Sequence, residues 1–166
     1  MRLFHVSEES NIEIFEPRKP LRTDIDNSKG LVWAINEQCL SNFLTPRDCP
    51  RVTYYYTDRS SDDDKSRFFS SPDVQHVVVI ESKWFETMKN TTLYLYEFDP
   101  SDFVLQDETA GYYVSDKKQK SINKIIISDI FKELFDRKVE IRIIPNLWDL
   151  AEDIKKSTLN WSLCRM

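Results

Sequence analysis

Two glycines, Gly30 and Gly111, are all that this 166-residue chain contains. Loops that cradle phosphates need closely spaced glycines, because their backbone must turn sharply and approach the ligand without a Cβ in the way. Neither a P-loop nor a G-x-G-x-x-G turn can be written into the sequence. A bound nucleotide would therefore have to be held by side chains and strand edges.

The apolar runs are short and mostly strand-like. Leu3 to Val6, Leu31 to Ala34, Arg51 to about Thr57, His76 to Ile80, "TLYLYEFDP", "GYYVSD", "INKIIISDI" and Val139 to Ile144 read as strands, and the tail "STLNWSLCRM" can add another. A helix is expected at about Glu37 to Leu44, where Asn36 can cap the start and Pro46 stops the run. A second lies in "SKWFETMKN", with Trp84, Phe85 and Met88 as its buried face, and a third runs from a Ser128 cap to about Arg137. The best-defined helix opens at Asn146, with Leu147, Leu150, Ala151, Ile154 and Thr158 at helical spacing and Asp149 placed as in a capping box.

Between the first two strands lies an irregular, polar excursion anchored by Ile12, Ile14 and Phe15. The stretch "DRSSDDDKSRFFSSPD" has no periodicity, so residues 57–75 are expected to form a mobile loop and Asp62-Asp63-Asp64 a solvated charge run. Strands and helices do not alternate as βαβ units. The fold class is α+β: a single domain over 1–166 with mixed, mainly antiparallel sheets and a few short helices.

A chain of this length buries roughly two-thirds of its unfolded surface without disulfides or metal. Its net charge of −5 argues against a nucleic-acid partner. No apolar run approaches the roughly 18 residues of a membrane helix, and the N-terminus turns polar too early for a secretory signal. A cytoplasmic protein is expected. Cys39, Cys49 and Cys164 are odd in number and widely spaced, which suggests reduced thiols. With only His5 and His76 besides, and no C-x-x-C pair, no metal site is expected.

Four places could carry chemistry. His5 and Ser7 alternate with Phe4 and Val6, which are expected to take the core face, so imidazole and hydroxyl project together from the polar face of the strand and can grip a ribose. In "QDETAGYYVSD", Asp107 and Glu108 follow a strand end, Gly111 permits a turn, and Tyr113 and Ser115 share the face of the next strand. A carboxylate there can accept a proton or stabilise a developing cation, and can equally be a turn residue. In "TPRDCPRVTYYY", Arg47 and Arg51 are candidate anion receptors, since a guanidinium fork matches phosphate or carboxylate. Cys49 between them has two readings. As a nucleophile it needs a thiolate, a base such as His5 and an oxyanion site. As a small hydrophobe it fills space while Asp48 pairs with an arginine, and Cys39 likewise reads as core.

The stretches "RLFHVSEES", "IEIFEPR", "LVWAINE", "TPRDCPR", "TLYLYEFDP", "GYYVSD" and "STLNWSLCRM", in that order, closely resemble an uncharacterised family of small bacterial proteins known only as a domain of unknown function. More distantly, the layout is similar to the ADP-ribosyltransferase superfamily, especially the small rifampin-modifying enzymes and the RNA 2'-phosphotransferases. His5-Val6-Ser7 matches their first-strand His-Gly-Thr with valine for glycine, and Val32-Trp33-Ala34 before Asn36 matches an aromatic-bearing strand with tryptophan for tyrosine. Tyr96-Glu97-Phe98-Asp99-Pro100 matches a Y-E-V-x-P strand, and Asp107 falls where those enzymes place an acid.

The resemblance implies an ADP-ribosyltransferase-like fold with NAD as cofactor. His5 would hold the nicotinamide ribose, Trp33 would stack on nicotinamide and Asp107 would assist its departure. His5 and Asp107 are then the catalytic candidates, and His5, Ser7, Trp33, Arg47, Arg51, Tyr113 and Ser115 the cofactor-binding ones. Two alternatives stand beside this reading: a non-catalytic domain that binds a phosphorylated ligand through Arg47 and Arg51, and a hydrolase dependent on Cys49.

Overall fold

The computed structural model describes residues 1–19 and 29–166; the part of the expected excursion at 20–28 lies outside the described residues. In chain order the elements are β1 (Leu3–Ser7), β2 (Val32–Asn36), a 3-10 turn (Leu40–Phe43), β3 (Arg51–Tyr55), α1 (Asp62–Phe68) and β4 (His76–Glu81). A second 3-10 turn (Ser82–Trp84) leads into α2 (Phe85–Asn90), followed by β5 (Leu93–Phe98), a third such turn (Pro100–Asp102), β6 (Val104–Asp107), β7 (Tyr112–Ser115) and β8 (Asn123–Ile127). The chain closes with α3 (Ile130–Asp136), β9 (Val139–Ile144), α4 (Trp148–Ile154) and β10 (Asn160–Cys164). The class is α+β as expected, and among the described strands only β4 with β9 pairs parallel.

Contacts divide the chain into two compact units, Met1–Leu40 with Leu93–Ile127, and Ser41–Thr92 with Ser128–Met166. Each unit is assembled from separated stretches, so no linker marks the division along the sequence. Each holds one sheet: β6-β7-β2-β1-β5-β8 in the first and β10-β3-β4-β9 in the second.

In the first unit, Leu3, Val32, Ala34, Tyr96, Phe98 and Phe103 form a buried cluster beneath Phe15. The segment after β1 is held over this face by its backbone: Phe15 bridges Gln119 and Arg18 bridges Leu31. Tyr96 adds a tether, its hydroxyl donating to Glu9 O at 2.7 Å and accepting from Ile12 N at 3.2 Å. Asn36 Oδ1 accepts from Cys39 N at 2.9 Å, the cap read from sequence, but the structure it caps is a 3-10 turn in place of an α-helix from Glu37. Gly111 stands at φ 69°, and a Cβ there would lie 2.6 Å from that same Asn36 Oδ1, so glycine serves both the backbone and the packing.

In the second unit, Val52, Tyr54, Val77 and Val79 present one sheet face to Phe68, Phe69, Leu147, Ala151, Ile154 and Leu159. The expected loop over 57–75 is corrected here, because it contains α1. Ser61 Oγ accepts from Asp64 N at 3.2 Å, and Asp62, Asp63 and Asp64 occupy the first turn, where carboxylates meet the positive end of the helix dipole. Asp64 Oδ2 also accepts from Thr158 N and Oγ1 at 2.7 and 2.6 Å, and Phe68 and Phe69 are buried.

The cap of α3 is Asp129, whose carboxylate accepts from Lys132 N at 2.9 Å, one residue beyond the expected Ser128. In α2 only Met88 is buried, while Phe85 is exposed. The expected Asn146 cap is corrected: Asn146 Oδ1 accepts from Trp148 N at 2.8 Å, but the cap position of α4 is Leu147, which makes no side-chain bond to the helix, and α4 ends at Ile154 with Thr158 past it. The three cysteines are free. Among the described residues no helix is long and apolar enough to cross a membrane, and no group of three His, Cys, Asp or Glu is arranged to hold a metal.

Candidate functional site

Directly opposed residues of paired strands project from the same face. Leu3 pairs with Asn36, and Ala34 and Val32 pair with Tyr113 and Ser115. His5 and Ser7 pair with Tyr96 and Tyr94. One face of the six-stranded sheet therefore carries His5, Ser7, Tyr113 and Ser115 together, as the alternation in β1 and β7 predicts. The expectation that His5 and Ser7 lie on a polar face is corrected: this face also carries the buried cluster of Leu3, Val32, Ala34, Tyr96 and Phe98, and Phe15 packs over it, its ring meeting the His5 ring edge-on at 5.0 Å.

Trp33 does not join them. It pairs with Val114 and packs edge-on against Tyr112 at 5.4 Å, on the opposite face. Asp107 is opposed to Tyr112, past the bulge that comes after Leu105, and so belongs to the Trp33 face as well. Its exposed carboxylate accepts from Ala110 N at 3.0 Å and closes the turn before Gly111. The expected convergence of His5, Trp33 and Asp107 is corrected: the sheet itself separates His5 from the other two. What His5 does meet is the Trp33 backbone, with Nδ1 3.1 Å from the carbonyl oxygen.

The two serines shape their own turns. Ser7 Oγ accepts from Glu9 N at 3.0 Å, and Ser115 Oγ accepts from Lys117 N at 3.2 Å and from Gln119 Nε2 at 2.9 Å. Local hydroxyl-to-backbone bonds of this type end a strand and start a turn. His5 and Tyr113, both half-buried, remain the groups best suited to touch a ligand on this face.

The arginines of "TPRDCPR" diverge in environment, so the expected pair of anion receptors is corrected as well. Arg47 is exposed, whereas Arg51 is 5% exposed. Arg51 Nε donates to Asn42 O at 2.6 Å and Nη1 to Cys49 O at 3.2 Å, and its guanidinium lies over the Phe43 ring at 5.2 Å. The Asn42 carbonyl ends a 3-10 turn, where unpaired carbonyls collect partial negative charge. Arg51 thus closes the 42–51 segment on itself. Asp48 lies 3.9 Å from Arg165.

Cys49 is fully buried, and burial pushes its thiol up to about 11 despite the neighbouring Arg51 charge, which acts to lower it. Its Sγ donates to Pro50 O at 3.5 Å. A thiol so placed holds almost no thiolate at neutral pH, so the nucleophile reading fails and the packing reading stands.

The sequence pattern alone does not single out His76. It opens β4, its Nε2 is 2.7 Å from Asn42 Oδ1, and its ring tilts against Tyr55 at 5.5 Å. Burial pulls it down to about 4, so it is neutral at neutral pH and Nε2–H donates to the amide oxygen. Asn42, itself buried, thereby links Arg51 and His76. A polar residue within an apolar run was the available signal, since an asparagine buried at that place needs partners.

Residues 4–166 match a family described as a family of unknown function (DUF6886). The chain belongs to that family. No curated protein and no solved structure matches the chain. The family assignment brings no activity with it, so function has to be argued from the two sheets. Of these, the His5 face joins an imidazole, a phenol and flanking aromatic rings.

Proposed function

We propose that this chain is a binding module for a nucleotide of the NAD class, engaged at the half-buried His5 and Tyr113 of the sheet face that also carries Ser7 and Ser115, beside the segment that packs over its buried part. The observation that supports it is the register, which puts these four side chains on one face across β1, β2 and β7. His5 and Tyr113 contact the ligand, and the two serines set the turns at its border. The binding reading is preferred to ADP-ribosyl transfer because Trp33 and Asp107 project from the face opposite His5. The free thiols support placing the protein in a reducing cytoplasm.

Calorimetry and thermal shift with NAD test this reading. NAD raises the melting temperature as ln(1 + [L]/Kd), His5→Ala abolishes the rise, and Trp33→Ala and Asp107→Ala leave it in place. Absence of heat and of stabilisation with NAD would overturn the proposal. NAD hydrolysis that Asp107→Ala removes would restore the transferase reading.

A further inference from the structure

We propose that the outer edge of β9 joins two copies of this chain, the two β9 strands pairing antiparallel about a two-fold axis through Ile141. β9 is the last strand of its sheet and pairs only with β4. Among the described residues no other backbone group bonds to Val139–Ile144. An edge of this kind is a template for another strand.

The sequence of the edge says which strand it fits. Read against itself in reverse, "VEIRI" sets Val139 opposite Ile143, Glu140 opposite Arg142, and Ile141 opposite Ile141. Every charged residue then faces its opposite sign, so the edge is self-complementary as an isologous interface requires. The other edges lack this property. β8, "NKIII", would set Lys124 against an isoleucine, β10, "NWSLC", has no charge to match, and β6 is short and bulged.

Charges on an edge strand usually guard it, but here they are drawn onto their own sheet face. Arg142 Nε donates to Glu140 Oε1 at 2.6 Å and Arg142 Nη2 to Phe68 O at 2.7 Å, while Ser70 Oγ donates to Glu140 Oε2 at 2.6 Å. On the opposite face Ile141 and Ile143 line an apolar groove of about 550 Å³ with Phe85, Lys89, Phe131 and Phe135. Phe135 and Ile143 are 61% and 41% exposed. A two-fold perpendicular to the sheet keeps like faces on the same side, so the groove of each copy is flanked by the partner's β9 and α3.

Sedimentation velocity of the full chain over a wide concentration range tests the interface. The wild type sediments as a dimer, and Ile143→Lys and Phe135→Lys, both at exposed positions, weaken association about tenfold or more while circular dichroism stays unchanged. The variants E140R and R142E are each monomeric, and mixing them restores a one-to-one dimer because unlike charges again face each other. A wild type that stays monomeric throughout, a dimer indifferent to Ile143→Lys, or folded E140R and R142E that do not combine would each overturn the proposal. Should either charge variant fail to fold for loss of its Ser70 or Phe68 contact, the Ile143→Lys result decides.

Discussion

Arg51→Met separates a strut from a ligand-binding group. In the structure the guanidinium of Arg51 gives one hydrogen bond to Asn42 O and one to Cys49 O, with Phe43 beneath it. Bonds made by a charged donor contribute about 1.5–3 kcal/mol each, so the pair is worth about 3–6 kcal/mol gross. Methionine fills much of the same volume and no longer incurs the burial of a cation, which offsets part of that loss. The net destabilisation expected is about 3 kcal/mol, or a fall in Tm of about 6–12 °C for a chain of this size. Urea unfolding monitored by fluorescence measures it, with an unchanged m-value showing that the same surface unfolds. Arg47→Met, at an exposed position, is expected to stay within about 0.5 kcal/mol of wild type. A loss below about 1 kcal/mol for Arg51→Met would refute the strut and return Arg51 to the candidate ligand groups.

Three further outcomes are expected. In the native protein at mildly alkaline pH, a thiol-alkylating reagent combined with mass spectrometry labels half-exposed Cys164 and spares Cys39 and Cys49; rapid labelling of Cys49 would contradict its burial and raised pKa. His76 is held at about 4 against an ordinary 6.5, so between those values the unfolded chain binds the extra proton and stability falls as pH falls; the full loss below the folded pKa is about 3 kcal/mol, and a His76→Gln variant should show a flatter acid limb in unfolding curves. Gly111→Ala combines a left-handed backbone with a Cβ 2.6 Å from Asn36 Oδ1 and should cost about 2 kcal/mol or more, whereas a cost near zero would mean that the turn can relax.

Most elements of this protein are set by short-range chemistry and were legible along the chain. The β-branched run "HVVVI", the alternation of "LYLYEF" and the Asn36 bond to Cys39 N each act within a few residues, and all appear where the sequence puts them. Helix α1 was missed because seven residues are too few for a 3.6-residue period to emerge; it is secured by Ser61 at its start and by Thr158, distant in sequence, on Asp64. Within β1 and within β7 the sharing of a face by His5 and Ser7, and by Tyr113 and Ser115, comes from alternation alone. Whether Trp33 shares that face does not. Each strand fixes only its own parity, and the relative phase of two strands is decided by which residues pair, here Leu3 with Asn36 and Trp33 with Val114. A shift of one residue in that pairing would have brought Trp33 round to His5. Burial worked in the same nonlocal way on "RDCPR": the sequence offered two guanidiniums and a thiol, and only packing against Asn42 and Phe43 made one arginine a strut and left the thiol protonated.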